Sequence, residues 1–207
     1  MNISIVIAHE EHYKFAEEIC ETINASAIQR GTGIARRTPE YVMKKMENRD
    51  AVVATVDGKF AGFCYIESWS HGKFVANSGL IVHPDYRALG LAKKIKERVF
   101  KYSQEKYPGA KIFGITTGLA VMKINSDLGY KPVPFSELTD DPSFWNGCRG
   151  CSNFDILERK EYKMCLCTGM LYDPAKKKTE EKYTFNKKVL LRLKNIKLAL
   201  FLKKEKV

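Results

Sequence analysis

Long apolar runs are absent from this 207-residue chain, and no stretch approaches the roughly 20 residues that a membrane-spanning helix requires. The N-terminus, MNISIVIAHEEHYKF, also lacks the basic, apolar and small-residue order of a secretion signal, so a cytoplasmic location is expected. Internal repeats are missing, which sets aside solenoid architectures. Excess charge is missing from most of the chain as well. The net charge is +11, but residues 175–207 hold 12 Lys/Arg against 3 Glu, or +9, leaving 23 − 21 = +2 for residues 1–174. A core so nearly balanced gives no support to nucleic-acid binding.

What is present suits a globular protein of one domain with appendages: 44% hydrophobic residues and enough length to bury a core. The chain is organised around Phe74 to Tyr102. Val75 to Val82 is short, apolar and β-branched, and it stops at His83-Pro84-Asp85, where Pro84 lacks a ladder donor. Leu91, Ala92, Ile95, Val99 and Tyr102 then recur at helical spacing, so a helix begins near Gly90. Between strand and helix lies Arg87-Ala88-Leu89-Gly90-Leu91-Ala92. Small residues there leave the unpaired N–H groups of a helix N-terminus open to phosphate oxygens.

Around this centre, Ile3 to Ala8 is expected to be a strand and Tyr13 to Ile28 a helix. A glycine-broken basic loop, QRGTGIARR, leads to a second helix with Thr38 as N-cap and Pro39 in its first turn. Asp50 to Asp57 and Phe60 to Trp69 read as strands joined at Asp57-Gly58, a hairpin signal. After the central helix, Lys111 to Thr117 reads as a strand and Leu119 to Leu128 as a helix closed by Gly129-Tyr130.

The run LIVHPDYRALGLA resembles the signature of the GNAT acyltransferases, a hydrophobic strand ending in V-x-P followed by R/Q-x-x-G-x-G/A at a helix start. The order of elements over residues 1–140 is similar to that family's, which implies an α/β fold with a mixed central sheet flanked by helices. The resemblance implies an acetyl-CoA or other short acyl-CoA cosubstrate. Its pyrophosphate would be cradled by Arg87, Ala88, Leu89, Gly90, Leu91 and Ala92, and its pantetheine arm bonded by Leu80, Ile81 and Val82. The Val82 N–H would polarise the thioester carbonyl, a role for backbone alone. Ala92 stands where many members have a second glycine.

Two further runs narrow the resemblance to the acetyltransferase domains of N-acetylglutamate synthases: QRGTGIARRTPEYV, similar to their acceptor loop, and FGITTGLA, similar to a late strand ending in Thr-Thr. They imply that Ile34, Arg36, Arg37 and Thr117 contact a small amine acceptor, L-glutamate first, in arginine biosynthesis. A guanidinium suits a carboxylate, since it makes two parallel bonds to it. Where those synthases have Arg after Thr-Thr this chain has Gly118, so Lys123 or another cation would have to replace it. Catalysis would be direct attack by a neutral amine, whose reference pKa of about 8 calls for a base. Glu67 is the leading base, with His71 and His83 behind it. Its alternative is an outward strand position. The tyrosine that protonates the leaving thiolate in many members is replaced by Asn125, which can hydrogen-bond sulfur but is no acid. Acetylation of a protein or peptide amine, or acyl-CoA sensing without turnover, are the competing functions.

Beyond residue 140 lies a cysteine-rich extension, 141–174. Cys148-x-x-Cys151 followed by Cys165-x-Cys167 is read either as a structural zinc knuckle or as four packed thiols. Cys20 and Cys64 are read as core residues. The tail, 175–207, places Phe185, Val189, Leu193, Ile196 and Leu200 at helical spacing among lysines. Docking on the domain or pairing in a homodimer is expected of it ahead of contact with a membrane surface.

Overall fold

The computed structural model describes residues 1–30 and 37–179. Contacts divide the chain into Met1–Pro174 and Ala175–Val207. The basic amphipathic segment beyond Thr179 lies outside the described residues.

The first unit is built on one seven-stranded sheet, ordered β1 (Ile3–Ile7), β2 (Ala51–Val56), β3 (Lys59–Trp69), β4 (Phe74–Val82), β5 (Lys111–Thr116), β7 (Thr168–Tyr172) and β6 (Lys131–Val133). All neighbours are antiparallel except β4 and β5. A parallel pair needs a crossover, and α3 (Leu91–Lys106) provides it. A 3₁₀ turn, Glu10–Phe15, and α1 (Ala16–Arg30) follow β1, then α2 (Pro39–Glu47). Thr38 caps α2 by accepting from the Tyr41 N–H at 3.3 Å, with Pro39 in the first turn. Asp57 and Gly58 both have positive φ, at 49° and 78°, as a two-residue hairpin loop requires.

Side-chain alternation in the central strands sorts the core into two layers. Val52, Ala54, Cys64, Ile66 and Val75 face α3, whose Leu91, Ile95 and Val99 are fully buried against them. Val53, Phe60, Phe63 and Tyr65 face the other way, onto Phe15, Ile19 and Ile23 before and within α1 and onto Val42 and Met46 of α2. With both faces covered, β2 and β3 read as nearly continuous apolar runs.

The extension beyond residue 140 folds back onto this sheet. After α4 (Leu119–Asp127) and β6 come α5 (Pro142–Asn146) and α6 (Phe154–Arg159); β7 then inserts between β5 and β6. Phe144, Trp145 and Leu157 close a third apolar cluster over Ala76, Phe113 and Leu171. α7 (Pro174–Thr179) follows β7. Sequence reading does not identify β7, because TGMLY is short and has no alternation of its own. Among the described residues, no helix is long and apolar enough to cross a membrane.

Two features of β4 create the site. Its pairing with β5 ends at Ala76 and Phe113, though both strands continue, so a cleft opens between them. Its pairing with β3 slips: Tyr65 stands opposite Ser78 and Phe63 opposite Ile81, which leaves one extra residue in β4 at Gly79-Leu80. Such a bulge bends a strand and increases its twist. Gly79 is suited to it, with φ of 65° and the Tyr65 ring directly above.

Candidate active site

A cavity of about 420 Å³ occupies the cleft. Its apex is at Asn77 and Gly114, where a Cβ on Gly114 would stand 3.4 Å from the Asn77 carbonyl oxygen. From there Ser78, Gly79 and Leu80 form one wall and Ile115, Thr116 and Thr117 the other. The His83 N–H bonds the Ala61 carbonyl on β3, at 2.9 Å. Strand alternation therefore turns the Val82 N–H, and the Leu80 N–H two residues earlier, toward the open cleft. These N–H groups face the stretch of cleft where β5 has left the ladder.

At the far end of β4 the chain passes through Pro84–Leu89, a 3₁₀ turn, to Gly90. Gly90 has φ of 68°, and a Cβ built there would meet open space, so this turn leaves the N-terminus of α3 uncovered. A 16-residue helix presents a partial positive charge there. Arg87 is drawn back beside it, with Nη2 donating to Ser26 Oγ at 3.1 Å. An uncovered helix N-terminus of this kind has room and charge for a phosphate group.

The other mouth of the cavity carries charge. Arg37 Nε donates to Tyr65 Oη at 2.8 Å, and its guanidinium stands over the Tyr41 and Tyr65 rings at 5.1 and 5.8 Å. Tyr41 Oη donates to Glu67, which also pairs with Lys45 at 3.3 Å. Burial pushes the Tyr65 hydroxyl up to about 12 and the Tyr41 hydroxyl higher still, so both remain protonated donors or acceptors at neutral pH. Glu67 is thus a cavity residue, not an outward strand position. Neither His71 nor His83 lines the cavity: His71 lies in the β3–β4 turn, and His83 packs on Phe60 and Tyr86.

Of the residues proposed from sequence, the structure gathers Arg37, Glu67, Leu80, Thr117, Asn125 and the four paired cysteines around one cavity. Ile34 and Arg36 lie outside the described residues. Lys123 is not on the cavity wall; among the described residues the cations there are Arg37 and Lys96. Asn125 is 1% exposed, and its Oδ1 has no partner among the described residues. That orphaned acceptor fits a ligand donor such as the thiol of a departing CoA.

The zinc reading is not supported. Cys148, Cys151, Cys165 and Cys167 are free thiols along the cavity wall, but no three or more His, Cys, Asp or Glu among the described residues form a group that could hold a metal ion. The thiols bond locally instead. The Cys167 N–H donates to Cys165 Sγ at 3.3 Å and the Asn153 N–H to Cys151 Sγ at 3.4 Å, while burial pushes the Cys148 thiol up to about 11.

Lys96 is the cavity residue that sequence reading misses. It is 2% exposed, and its Nζ donates to Asn77 Oδ1 at 3.2 Å above the face of the Tyr130 ring. Asn77 Oδ1 also accepts from Tyr130 Oη at 3.0 Å, and Asn77 Nδ2 donates to Ser103 Oγ at 2.8 Å. One sequence signal did exist: Lys96 falls between Ala92 and Val99 on the apolar stripe of α3, where a solvated lysine has no place.

Desolvation draws the Lys96 ammonium down to about 8 from 10.5. Between those values the unfolded chain holds this proton and the folded chain does not, so the Lys96 contribution to stability rises with pH. Lys96→Met is expected to be more stable than wild type near neutrality. From about pH 8 to 10.5 that advantage should shrink by up to about 3 kcal/mol, at 1.36 kcal/mol per pKa unit. Urea unfolding of both proteins across this range measures the gap; a gap independent of pH would disprove the assignment.

The model of the acetyltransferase (GNAT) family matches residues 16–121. No curated protein matches the sequence. Among solved structures, N-acetylglutamate synthase of Neisseria gonorrhoeae, complexed with coenzyme A and N-acetylglutamate, superposes with a TM-score of 0.60 at 13% identity, over 84% of this chain and 35% of that one. This chain therefore spans about a third of that enzyme's length. A Mycobacterium tuberculosis protein in complex with coenzyme A has the same TM-score at 14% identity, over 82% of this chain and 98% of its own. Diaminobutyrate acetyltransferase of Paenibacillus lautus, with its substrate and coenzyme A, gives 0.56 at 10%, over 84% and 95%. At these identities the likeness is one of fold.

Proposed function

We propose that this chain, a member of the GNAT acetyltransferase family, is an acyl-CoA-dependent N-acyltransferase whose acceptor is a small amino acid, L-glutamate first, acylated as in the opening step of arginine synthesis. The observation that carries this reading is that one cavity joins the acyl-CoA cleft to Arg37 and Glu67. An acceptor whose carboxylate meets Arg37 would hold its amine toward the cleft, between a cation and a carboxylate. Ile34 and Arg36 would complete the acceptor loop, and Thr117 the opposite wall.

In the proposed reaction, Glu67, or a water it holds, takes the proton from the acceptor ammonium. The neutral amine attacks the thioester carbon, and the Leu80 N–H, beyond the Val82 N–H that holds the pantetheine arm, steadies the oxygen that becomes negative. The carbon–sulfur bond then breaks. The nitrogen's second proton passes through water to the sulfur, and the thiol so formed donates to Asn125 Oδ1.

The test is release of free thiol from acyl-CoA with glutamate, other amino acids and a basic peptide as acceptors. Saturable turnover with glutamate that falls at least tenfold in Arg36→Ala is expected. Turnover on the peptide alone would overturn the amino-acid reading and leave the family assignment intact.

A further inference from the structure

Acyl-CoA enters this cavity in one direction. The pyrophosphate site at Gly90 follows the end of β4, so the pantetheine arm runs back along the strand past Val82 and Leu80, and the acyl group comes to rest toward Asn77. What waits at that end is an ammonium group. Lys96 lines the cavity with its Nζ bonded to Asn77 at the apex, and Asn125, with its orphaned Oδ1, lines the same cavity.

Lys96 is badly compensated by the protein's own groups. Its bonding partner is the neutral amide oxygen of Asn77, which Tyr130 Oη already shares. Among the described residues no carboxylate pairs with it, although nine carboxylate ion pairs are formed by other lysines and arginines. An ammonium has three donors, and one is engaged here. Buried charges are ordinarily paired, because desolvation costs more than a neutral hydrogen bond returns. Methionine, with a stem of similar length, would satisfy packing at this position on α3 without that cost.

We propose that Lys96 selects the acyl group: the cavity takes acyl-CoA donors whose acyl chain ends in a carboxylate, a dicarboxylic monothioester such as succinyl-CoA, and that carboxylate pairs with Lys96 Nζ. The proposal rests on the acyltransferase reading and names its donor class. A carboxylate there gives the ammonium its missing counter-charge and fills its remaining donors. An acetyl methyl group leaves both unmet. In the transfer itself the acceptor nitrogen bonds the carbonyl carbon and loses one proton, the carbon–sulfur bond breaks, and sulfur takes the electron pair and a proton. Lys96 keeps its proton throughout.

Donor binding separates this proposal from acceptor identity. Carba analogues of acetyl-CoA and succinyl-CoA, in which a methylene replaces sulfur, bind without transferring, and calorimetry with the full-length protein gives both affinities. Wild type is expected to bind the succinyl analogue about 10- to 100-fold more tightly, the scale of charge-assisted hydrogen bonds in a buried site. In Lys96→Met, shown to be folded by its cooperative melt, the preference should collapse to near unity. Lys96→Gln, which keeps a donor without the charge, should retain only a small part of it. Equal or tighter binding of the acetyl analogue by wild type overturns the proposal, whether or not the variants fold. A succinyl preference unchanged in Lys96→Met overturns it as well. Binding of neither analogue would remove the acyl-CoA site itself, and this inference with it.

Discussion

Alanine in place of Gly79 is expected to lower the unfolding free energy by about 2–5 kcal/mol and to abolish detectable acyl transfer. Two effects add. Gly79 has φ of 65°, a left-handed conformation that costs a residue with a Cβ roughly 1–2 kcal/mol. The new methyl would also stand 2.4 Å from Tyr65 Cε1. Tyr65 is 1% exposed and tied to Arg37, so it cannot swing aside, and overpacking of this kind costs roughly 1–3 kcal/mol. The functional loss follows from position. Gly79 is the bulge that offsets Leu80 from its ladder partner, and a shift there moves the Leu80 N–H off the thioester and the Tyr65–Arg37 pair off the acceptor. Thermal melts and single-turnover thiol release test both halves. A variant as stable as wild type and fully active would show that the bulge does not depend on glycine.

Replacing Arg37 by methionine should raise the KM for a carboxylate-bearing acceptor by about 100-fold, the equivalent of one charge-assisted bidentate contact of roughly 2–3 kcal/mol. A smaller fall in kcat is expected, because the amine would be less well aimed rather than less nucleophilic. Arg37→Lys should recover only part of the loss. An ammonium offers a point charge but neither the planar fork nor the same stacking on Tyr41 and Tyr65. If instead kcat falls tenfold or more while KM holds, Arg37 acts on the chemistry through the Tyr65 and Tyr41 hydroxyls, and the acceptor carboxylate binds elsewhere. Removing the guanidinium also takes the Arg37 donor from Tyr65 Oη, so circular dichroism and a melt must accompany the kinetics.

The local pattern of the chain determined a good deal by itself. The strand ending at His83-Pro84, the Gly90 turn, the apolar stripe of α3, the Thr38 cap and the Asp57-Gly58 hairpin all depend on interactions within a few residues. Propensity and periodicity express such interactions directly. The uncovered N-terminus of α3 was legible for the same reason, since glycine at a left-handed turn before a helix is a local signal.

Only the tertiary structure decided the rest, because it depends on residues far apart in sequence. The cleft exists because β4 and β5 stop pairing after Ala76 and Phe113, a relation no single segment encodes. Glu67 alternates between solvent and cavity on strand geometry alone; Tyr41 and Lys45, arriving on α2, settle it in the cavity. The cysteine pairs had zinc-like spacing, yet folding placed them along a cavity wall without forming a metal-holding group among the described residues. β7 became a strand because β5 and β6 offered it two edges to join. Lys96 shows the limit most clearly: its sequence neighbours mark it as out of place on an apolar stripe, but only the packing of α3 on β4 shows that it lines the cavity and bonds Asn77.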